Sequence, residues 1–287
     1  MLSTAQKIYI AKIMSRALLG VRAVAGLPAQ ASVRRHDIVW QLDLREGIDL
    51  SIYVLGCFEP STVKIYHKLL RPGNVVLDIG ANIGAHTLPM AALVGDSGRV
   101  LAFEPTAYAL SKLQINLALN PPLRARVTAE QFMLVENDQQ VLKPAIHSSW
   151  PLVASGPIDD RHGGRLMTTD GASAVSLDRV VEQRALTRVD FIKLDVDGNE
   201  LGVLAGAQRT LQKFQPPIVM ELAPHVFGEC PADFDRLLQL LWDHGYRLVH
   251  LLSRKTLPYN PAEVRRGIPT YGSVNVLAVC DRPRPLL

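Results

Sequence analysis

The apolar run Val75-Val76-Leu77-Asp78-Ile79 is broken by a single acid, then followed at once by Gly80 and Gly84 and by a helical stretch through Val94. Strand, tight glycine turn and helix form the opening unit of a parallel α/β sheet. The unit recurs. Arg99 to Phe103 is a second apolar run, with Leu110, Leu113 and Leu117 at helical spacing behind it. Phe191 to Leu194, Ile218 to Leu222, Leu248 to Leu252 and Val274 to Val279 supply further strands. Leu201, Leu204 and Leu211 mark one amphipathic helix between them, and Phe234, Leu237, Leu238 and Leu241 mark another, closed by Gly245. Such alternation predicts a doubly wound sheet with its ligand crevice at the carboxyl ends of the strands.

Outside this unit the signals are weaker. Residues 38–57 mix apolar residues with Asp43, Glu46, Gly47 and Asp49 and read as a hairpin turning near Arg45 to Gly47. Pro60-Ser61-Thr62 opens a helix running to Leu70. Residues 143–175, rich in Gly, Ser, His and Asp, fit no element and read as a long polar loop. The last two strands can form a hairpin, because no full helix is evident across 253–273.

Charge divides the chain. Lys and Arg number 31 against 27 Asp and Glu, yet residues 1–36 hold Lys7, Lys12, Arg16, Arg22, Arg34 and Arg35 and no acid. The arm is therefore +6 and the rest, 25 − 27, is −2. A nucleic-acid partner is not expected, since a phosphate backbone needs basic surface on the folded body. Within the arm Ile10, Ile13, Met14, Ala17, Val21 and Val24 recur at helical spacing, with Lys12 and Arg16 opposite and Lys7 and Arg22 flanking. This basic amphipathic helix is too short in apolar residues to cross a bilayer, and Arg16 and Arg22 interrupt any secretory signal. Packing on its own domain, or on a second subunit in a homo-oligomer, is the favoured use; peripheral contact of residues 1–26 with anionic lipid is the other. Gly26 and Pro28 mark a hinge after it. Cys57, Cys230 and Cys280 have neither metal-ligand nor disulfide-framework spacing, so a reducing, cytoplasmic home is expected.

The chemistry lies at three strand ends. After the first strand Gly80 lets a ligand approach the backbone, and Glu104, at the tip of the second, can accept hydrogen bonds from ribose hydroxyls. A dinucleotide turn would prefer Gly-x-Gly-x-x-Gly, whereas Asn82 stands two after Gly80 and Asp78 two before it. An acid there repels pyrophosphate and suits a ligand with a cationic amine and sulfonium, namely S-adenosylmethionine. The Walker-type Gly-Lys-Ser/Thr is absent. The third end, Phe191-Ile192-Lys193-Leu194-Asp195-Val196-Asp197-Gly198-Asn199-Glu200, brings three acids that can act as a base, orient a hydroxyl or bind a cation. Calcium-loop spacing is lacking, so no metal is expected; Asp197 or Asn199 can equally cap the following helix.

Leu77 to Gly84, Phe103-Glu104-Pro105, Leu113 to Asn120 and Val189 to Glu200 together resemble, in order and spacing, the FkbM-type S-adenosylmethionine-dependent methyltransferases over roughly residues 45–225. The resemblance implies a class I methyltransferase (Rossmann-like) fold of seven strands with the last reversed, and O-methylation of a hydroxyl on a sugar, glycolipid, polysaccharide or natural product. The N-terminal helix and hairpin precede this fold, and the domains expected are a basic helical arm, 1–36, and one cofactor-binding domain, 37–287. It implies further that Asp78, Gly80, Asn82 and Gly84 line the methionine end of the cofactor and Glu104 the ribose; Asn116 joins the cofactor-binding set, and the strand around Phe132 is assigned to adenine. Asp195 and Glu200 match the family's acidic pattern, whereas Asp197 stands where it usually has Glu. Asp195 is expected to accept or orient the acceptor's proton, with His225 as the alternative base. The rival reading is a non-catalytic cofactor-binding protein docked through its basic arm.

Overall fold

The computed structural model describes residues 4–148, 151–152, 164–227 and 230–280. Seven strands form the central sheet: β1 Val75–Ile79, β2 Arg99–Phe103, β3 Val127–Glu130, β4 Phe191–Leu194, β5 Ile218–Leu222, β6 Tyr246–His250 and β7 Val274–Cys280. Their order across the sheet is β6-β7-β5-β4-β1-β2-β3. All neighbours from β5 to β3 are parallel, and β7 runs antiparallel to both β5 and β6. This is the class I methyltransferase topology, reversed last strand included.

Why the strands read as continuous apolar runs is visible in β1, where every residue is buried. Val75, Leu77 and Ile79 face one helical layer, with Leu204, Leu211, Leu237 and Leu241, while Val76 faces the other, with Tyr66, Met90 and Val94. Two elements after the sheet's middle differ from the expectation. The single helix predicted through Leu201 and Leu211 is two, Glu200–Ala205 and Gln208–Phe214. Gly206 sits at the break because its backbone passes so near Val135 that a Cβ would lie 2.1 Å from the Val135 carbonyl oxygen. The sixth strand begins at Tyr246, two residues before the predicted start, directly after Gly245 in the left-handed region (φ 81°).

The hairpin lies elsewhere than predicted. Its strands are Gln30–Arg35 and Ile38–Asp43, joined by the two-residue turn His36-Asp37, both with positive φ (47° and 64°), the conformation a tight right-twisted hairpin requires. Residues 30–35 of the expected arm are thus its first strand. The stretch read as its second strand is instead a helix, Gly47–Leu55, ended by Gly56 at φ 79°. Buried Asp49 anchors that helix by accepting from the Asp43 amide (2.6 Å) and the Lys112 ammonium (2.7 Å). A strand could not carry Asp49 back to Asp43.

The predicted loop 143–175 is also partly regular. Ala145–Ser148 pairs antiparallel with Arg165–Thr168, and Ser173–Val175 pairs parallel with Phe132–Leu134. Residues 149–150 and 153–163 of that loop lie outside the described residues.

Two asparagines fasten the hairpin to the body. On the helix Ala107–Ala118, Asn116 Oδ1 accepts from the Gln41 amide (2.8 Å) while its Nδ2 donates to the Ile83 carbonyl (3.1 Å). One turn on, Asn120 accepts from the Val39 amide (2.9 Å) and donates to the Val39 carbonyl (2.7 Å). Asn116→Ala leaves the Gln41 amide without its acceptor, so a stability loss of about 1–3 kcal/mol is expected in urea unfolding. A loss indistinguishable from zero would mean that the hairpin is held by its apolar side alone.

Candidate active site

Strand order reverses beside β1, which puts the crevice between the carboxyl ends of β1 and β4. Gly80 leaves β1 at φ 78°, and a Cβ there would stand 1.8 Å from the Asp195 carbonyl oxygen. Only glycine fits so close a passage of two chains. A Cβ on Gly84 would likewise meet the Leu88 and Leu113 Cδ1 atoms at 2.5 and 2.6 Å. Packing therefore demands glycine at position 80, and the left-handed φ of 90° favours it at position 84, whatever ligand the turn holds. Asn82, between them, has φ 48°, and its Oδ1 accepts from the Ile83 amide at 2.8 Å.

Asp78 lies within the strand, so side-chain alternation sends it to a sheet face rather than out of the strand's end. It has no solvent exposure. Thr87 Oγ1 donates to its Oδ2 (2.5 Å), and its Oδ1, which accepts no hydrogen bond, is 3.8 Å from the Lys193 ammonium. Lys193 is its register partner on β4. The same ammonium donates to the Gly80 carbonyl (2.9 Å) and lies 3.3 Å from Asp195 Oδ2. Burial alone would lower the Lys193 pKa, but the Asp195, Asp78 and Glu59 carboxylates outweigh it and hold the group charged, above its ordinary value. In this arrangement Asp78 acts on the crevice through Lys193, not by contact.

Glu104 follows β2 and is also buried. Its Oε1 accepts from the Thr106 amide (2.9 Å) and hydroxyl (2.6 Å), and its Oε2 from the Asn82 amide (3.0 Å). Burial raises its pKa and these three bonds oppose the rise. A carboxylate offers about four lone-pair sites, so one on Oε2 stays available to a hydroxyl. Asn116, by contrast, spends its side chain on the Gln41 and Ile83 backbone. Phe132 stacks on Phe103, rings 9° from parallel and 6.3 Å apart, and covers the end of β2.

The end of β4 is acidic. Asp195, Asp197 and Glu221, the last on β5, present carboxylate oxygens within 4.8 Å of one another, a spacing that suits a divalent cation. Lys193 already sets one cation against Asp195. Glu221 accepts from the Ser273 hydroxyl, and burial followed by Asp195 raises its pKa well above the ordinary range. Asp197, at φ 49°, is ringed by protein yet open to water. Its pKa is pushed up, by desolvation and then by the Asp195 and Glu200 carboxylates, and the water that reaches it tempers the desolvation. Glu200 is buried and caps its own loop, Oε1 accepting from the Val196 (3.2 Å) and Gly198 (3.3 Å) amides. His225 sits in the short 3-10 turn Pro224–Phe227 after β5, its ring edge-on to Tyr271 at 6.4 Å.

Three groups went unrecognised in the sequence. Glu59, at φ 46° before the helix Pro60–Leu69, accepts from Asn275 Nδ2 (2.7 Å) and lies 3.4 Å from His86 Nε2. Burial pushes its carboxyl up, but His86 and Asn275 hold it at about 2. Glu46 is buried with an Oε2 that accepts no hydrogen bond, packed closely beside Asn82, Ile83 and Tyr108. Lys193 had one usable signal, a cation at an alternate position of an otherwise apolar strand.

The sequence profile of the methyltransferase FkbM domain matches residues 78–248, from the glycine turn into β6. The chain belongs to the FkbM methyltransferase family. This is a family of S-adenosylmethionine-dependent methyltransferases. Among its relatives is the AMB antimetabolite synthetase AmbE of Pseudomonas aeruginosa, 28% identical over 231 residues, 69% of this chain but 11% of that protein. The chain thus spans about a tenth of that relative's length. The hexuronic acid methyltransferase AglP of Haloferax volcanii is 25% identical over 226 residues, 76% of this chain and 79% of AglP. The 31-O-demethyl-FK506 methyltransferase FkbM of Streptomyces tacrolimicus is 25% identical over 206 residues, 63% of this chain and 75% of its own.

One consequence of the acidic end can be measured. The Glu200 pKa is raised from an ordinary 4.5 to about 7, chiefly by desolvation. The folded state then binds the more protons between these values, so stability is full below 4.5 and falls as pH rises towards 7. Glu200→Gln keeps the acceptor oxygen and removes the titration; urea unfolding from pH 4 to 8 should show a flatter profile for the variant across that window. Parallel profiles for the two proteins would show that Glu200 does not titrate there.

Proposed function

We propose that this methyltransferase acts on oxygen, transferring the methyl group of S-adenosylmethionine to a hydroxyl of a sugar, a glycan or a natural product. The carboxylates converging at the end of β4 carry the reading: they lie within 4.8 Å of one another, where a hydroxyl proton can be received. The names of two relatives, a hexuronic acid methyltransferase and a 31-O-demethyl-FK506 methyltransferase, support a hydroxyl-bearing acceptor.

The cofactor fits the residues present. Glu104 keeps one lone pair for a ribose hydroxyl, and the orphaned Oε2 of Glu46, beside Asn82, suits the α-ammonium. Phe132 would offer its ring to adenine, and Gly80 and Gly84 shape the turn beneath. When bound, the cofactor supplies an electrophilic methyl on a sulfonium. The chain's own residues would hold the acceptor oxygen towards that methyl group, and positioning of this kind is worth roughly 7–11 kcal/mol of a barrier. Asp195 would accept the acceptor's hydroxyl proton, which leaves the oxygen free to take the methyl group. Lys193, 3.3 Å away, holds the Asp195 carboxylate in place. Glu200 positions the loop that carries Asp195, and His225 is the alternative base.

Asp195→Asn should lower turnover by about 10²–10⁴-fold while leaving S-adenosylhomocysteine affinity nearly unchanged. Labelled methyl transfer to a panel of sugar-bearing acceptors gives the first quantity and calorimetry the second. A chelator arm tests the rival use of Asp195, Asp197 and Glu221. Loss of activity restored by magnesium would turn Asp195 from base into metal ligand. Binding of S-adenosylhomocysteine with no transfer to any acceptor would favour the non-catalytic reading.

A further inference from the structure

The helix Thr4–Val24 packs on the body by an unexpected side. Ser15, fully buried, donates to the Leu44 carbonyl at 2.8 Å, and Leu18 and Leu19 rest on the cluster formed by Trp40, Leu42 and Leu44. Arg22 turns back to the Pro28 (2.9 Å) and Gln30 (3.0 Å) carbonyls. At roughly 100° per residue these positions share one side of the helix, and the apolar stripe lies about a third of a turn away. Ile10, Ile13, Met14, Ala17, Val21 and Val24 are all exposed. Exposure reaches 51% at Ile13, 68% at Val21 and 93% at Val24. The helix is therefore held by polar and leucine contacts while its most regular apolar face points to water.

A contiguous exposed apolar stripe marks a surface that something covers. Charge chooses the occupant. Residues 1–36 carry six cations and no acid, and Arg16, expected opposite the stripe, is exposed on its flank, three residues on from Ile13. A second copy would present the same patch, as a two-fold interface must, and would face cation with cation without an acid to neutralise either. An anionic bilayer supplies both the apolar depth and the opposite charge. Among the described residues no helix is long and apolar enough to cross a membrane. We propose that the helix Thr4–Val24 lies flat in the interface of an anionic membrane, with Ile13, Val21 and Val24 in the acyl boundary and Arg16 at the phosphates. The proposal does not depend on the methyl acceptor or on the role of Asp195.

The test is sedimentation of the full chain with phosphatidylcholine vesicles and with phosphatidylcholine–phosphatidylglycerol vesicles at low salt. Roughly tenfold more protein should partition onto the anionic vesicles, falling as salt rises. Ile13→Asp with Val21→Asp should abolish the partition on both, with an unchanged melting temperature, since both side chains face solvent. Arg16→Glu should remove only the preference for the anionic vesicle, which separates charge from burial. Equal pelleting of the full chain with both vesicles would overturn the proposal. So would retained pelleting of the double variant. A concentration-dependent dimer lost in the double variant, without vesicle binding, would make the stripe an interface between copies.

Discussion

A buried ammonium governs the centre of this protein. Lys193 sits on β4 opposite Asp78 on β1, reaches the Gly80 carbonyl and lies beside Asp195. Each contact ties a different part of the crevice to the same charge. Asp78 has no exposure and one oxygen without a hydrogen bond, so without Lys193 it would be a buried, uncompensated carboxylate, a loss of about 3–5 kcal/mol. The glycine turn would lose a donor at Gly80, and Asp195 would lose the cation that steadies it. Strand pairing, ligand turn and proposed proton acceptor are thus set by one side chain.

Around that centre the polar residues follow the sheet's own geometry. Asp78 and Lys193 share one face because they are paired in register; Glu221 and Asn275 are paired on β5 and β7. Asn275 carries the row on to Glu59, and Glu59 to His86. The row runs across four strands, passes the start of the helix Pro60–Leu69 at Glu59, and ends at His86, where the helix Thr87–Val94 after β1 begins. A substitution at any member would be felt by neighbours with which it shares no hydrogen bond, since buried charges act over several ångströms in a low-dielectric interior.

The parallel frame was legible because buried parallel strands must be apolar on both faces. β1, β2, β4 and β5 begin and end where their apolar runs do. The hairpin was not, since its turn is His36-Asp37 rather than a glycine pair, and alternating apolar residues in 48–54 imitate a strand while belonging to a helix anchored by Asp49. At the site, the strand-end acids were legible as a group but not in their separate roles. Periodicity says that Asp78 points away from Ile79 and cannot say that a helix covers it. Motif resemblance set Asn116 beside the cofactor, whereas its amide is spent on two backbone groups from segments far apart in sequence. Glu46 and Glu59 gave no signal, because each is made part of the site by contacts with residues more than twenty positions away.

The asparagine pair on the helix Ala107–Ala118 and its end has a consequence beyond fastening. Strand Ile38–Asp43 is the outer member of a two-stranded sheet, and its unpaired side would offer free amides and carbonyls to any passing chain. Asn116 and Asn120 occupy that side at alternate residues, Gln41 and Val39, as a neighbouring strand would. Two side-chain amides do the work of a missing strand. That edge of the ribbon is thereby closed to further strands, which guards it from edge-to-edge pairing without a proline, a bulge or a buried charge on the strand itself.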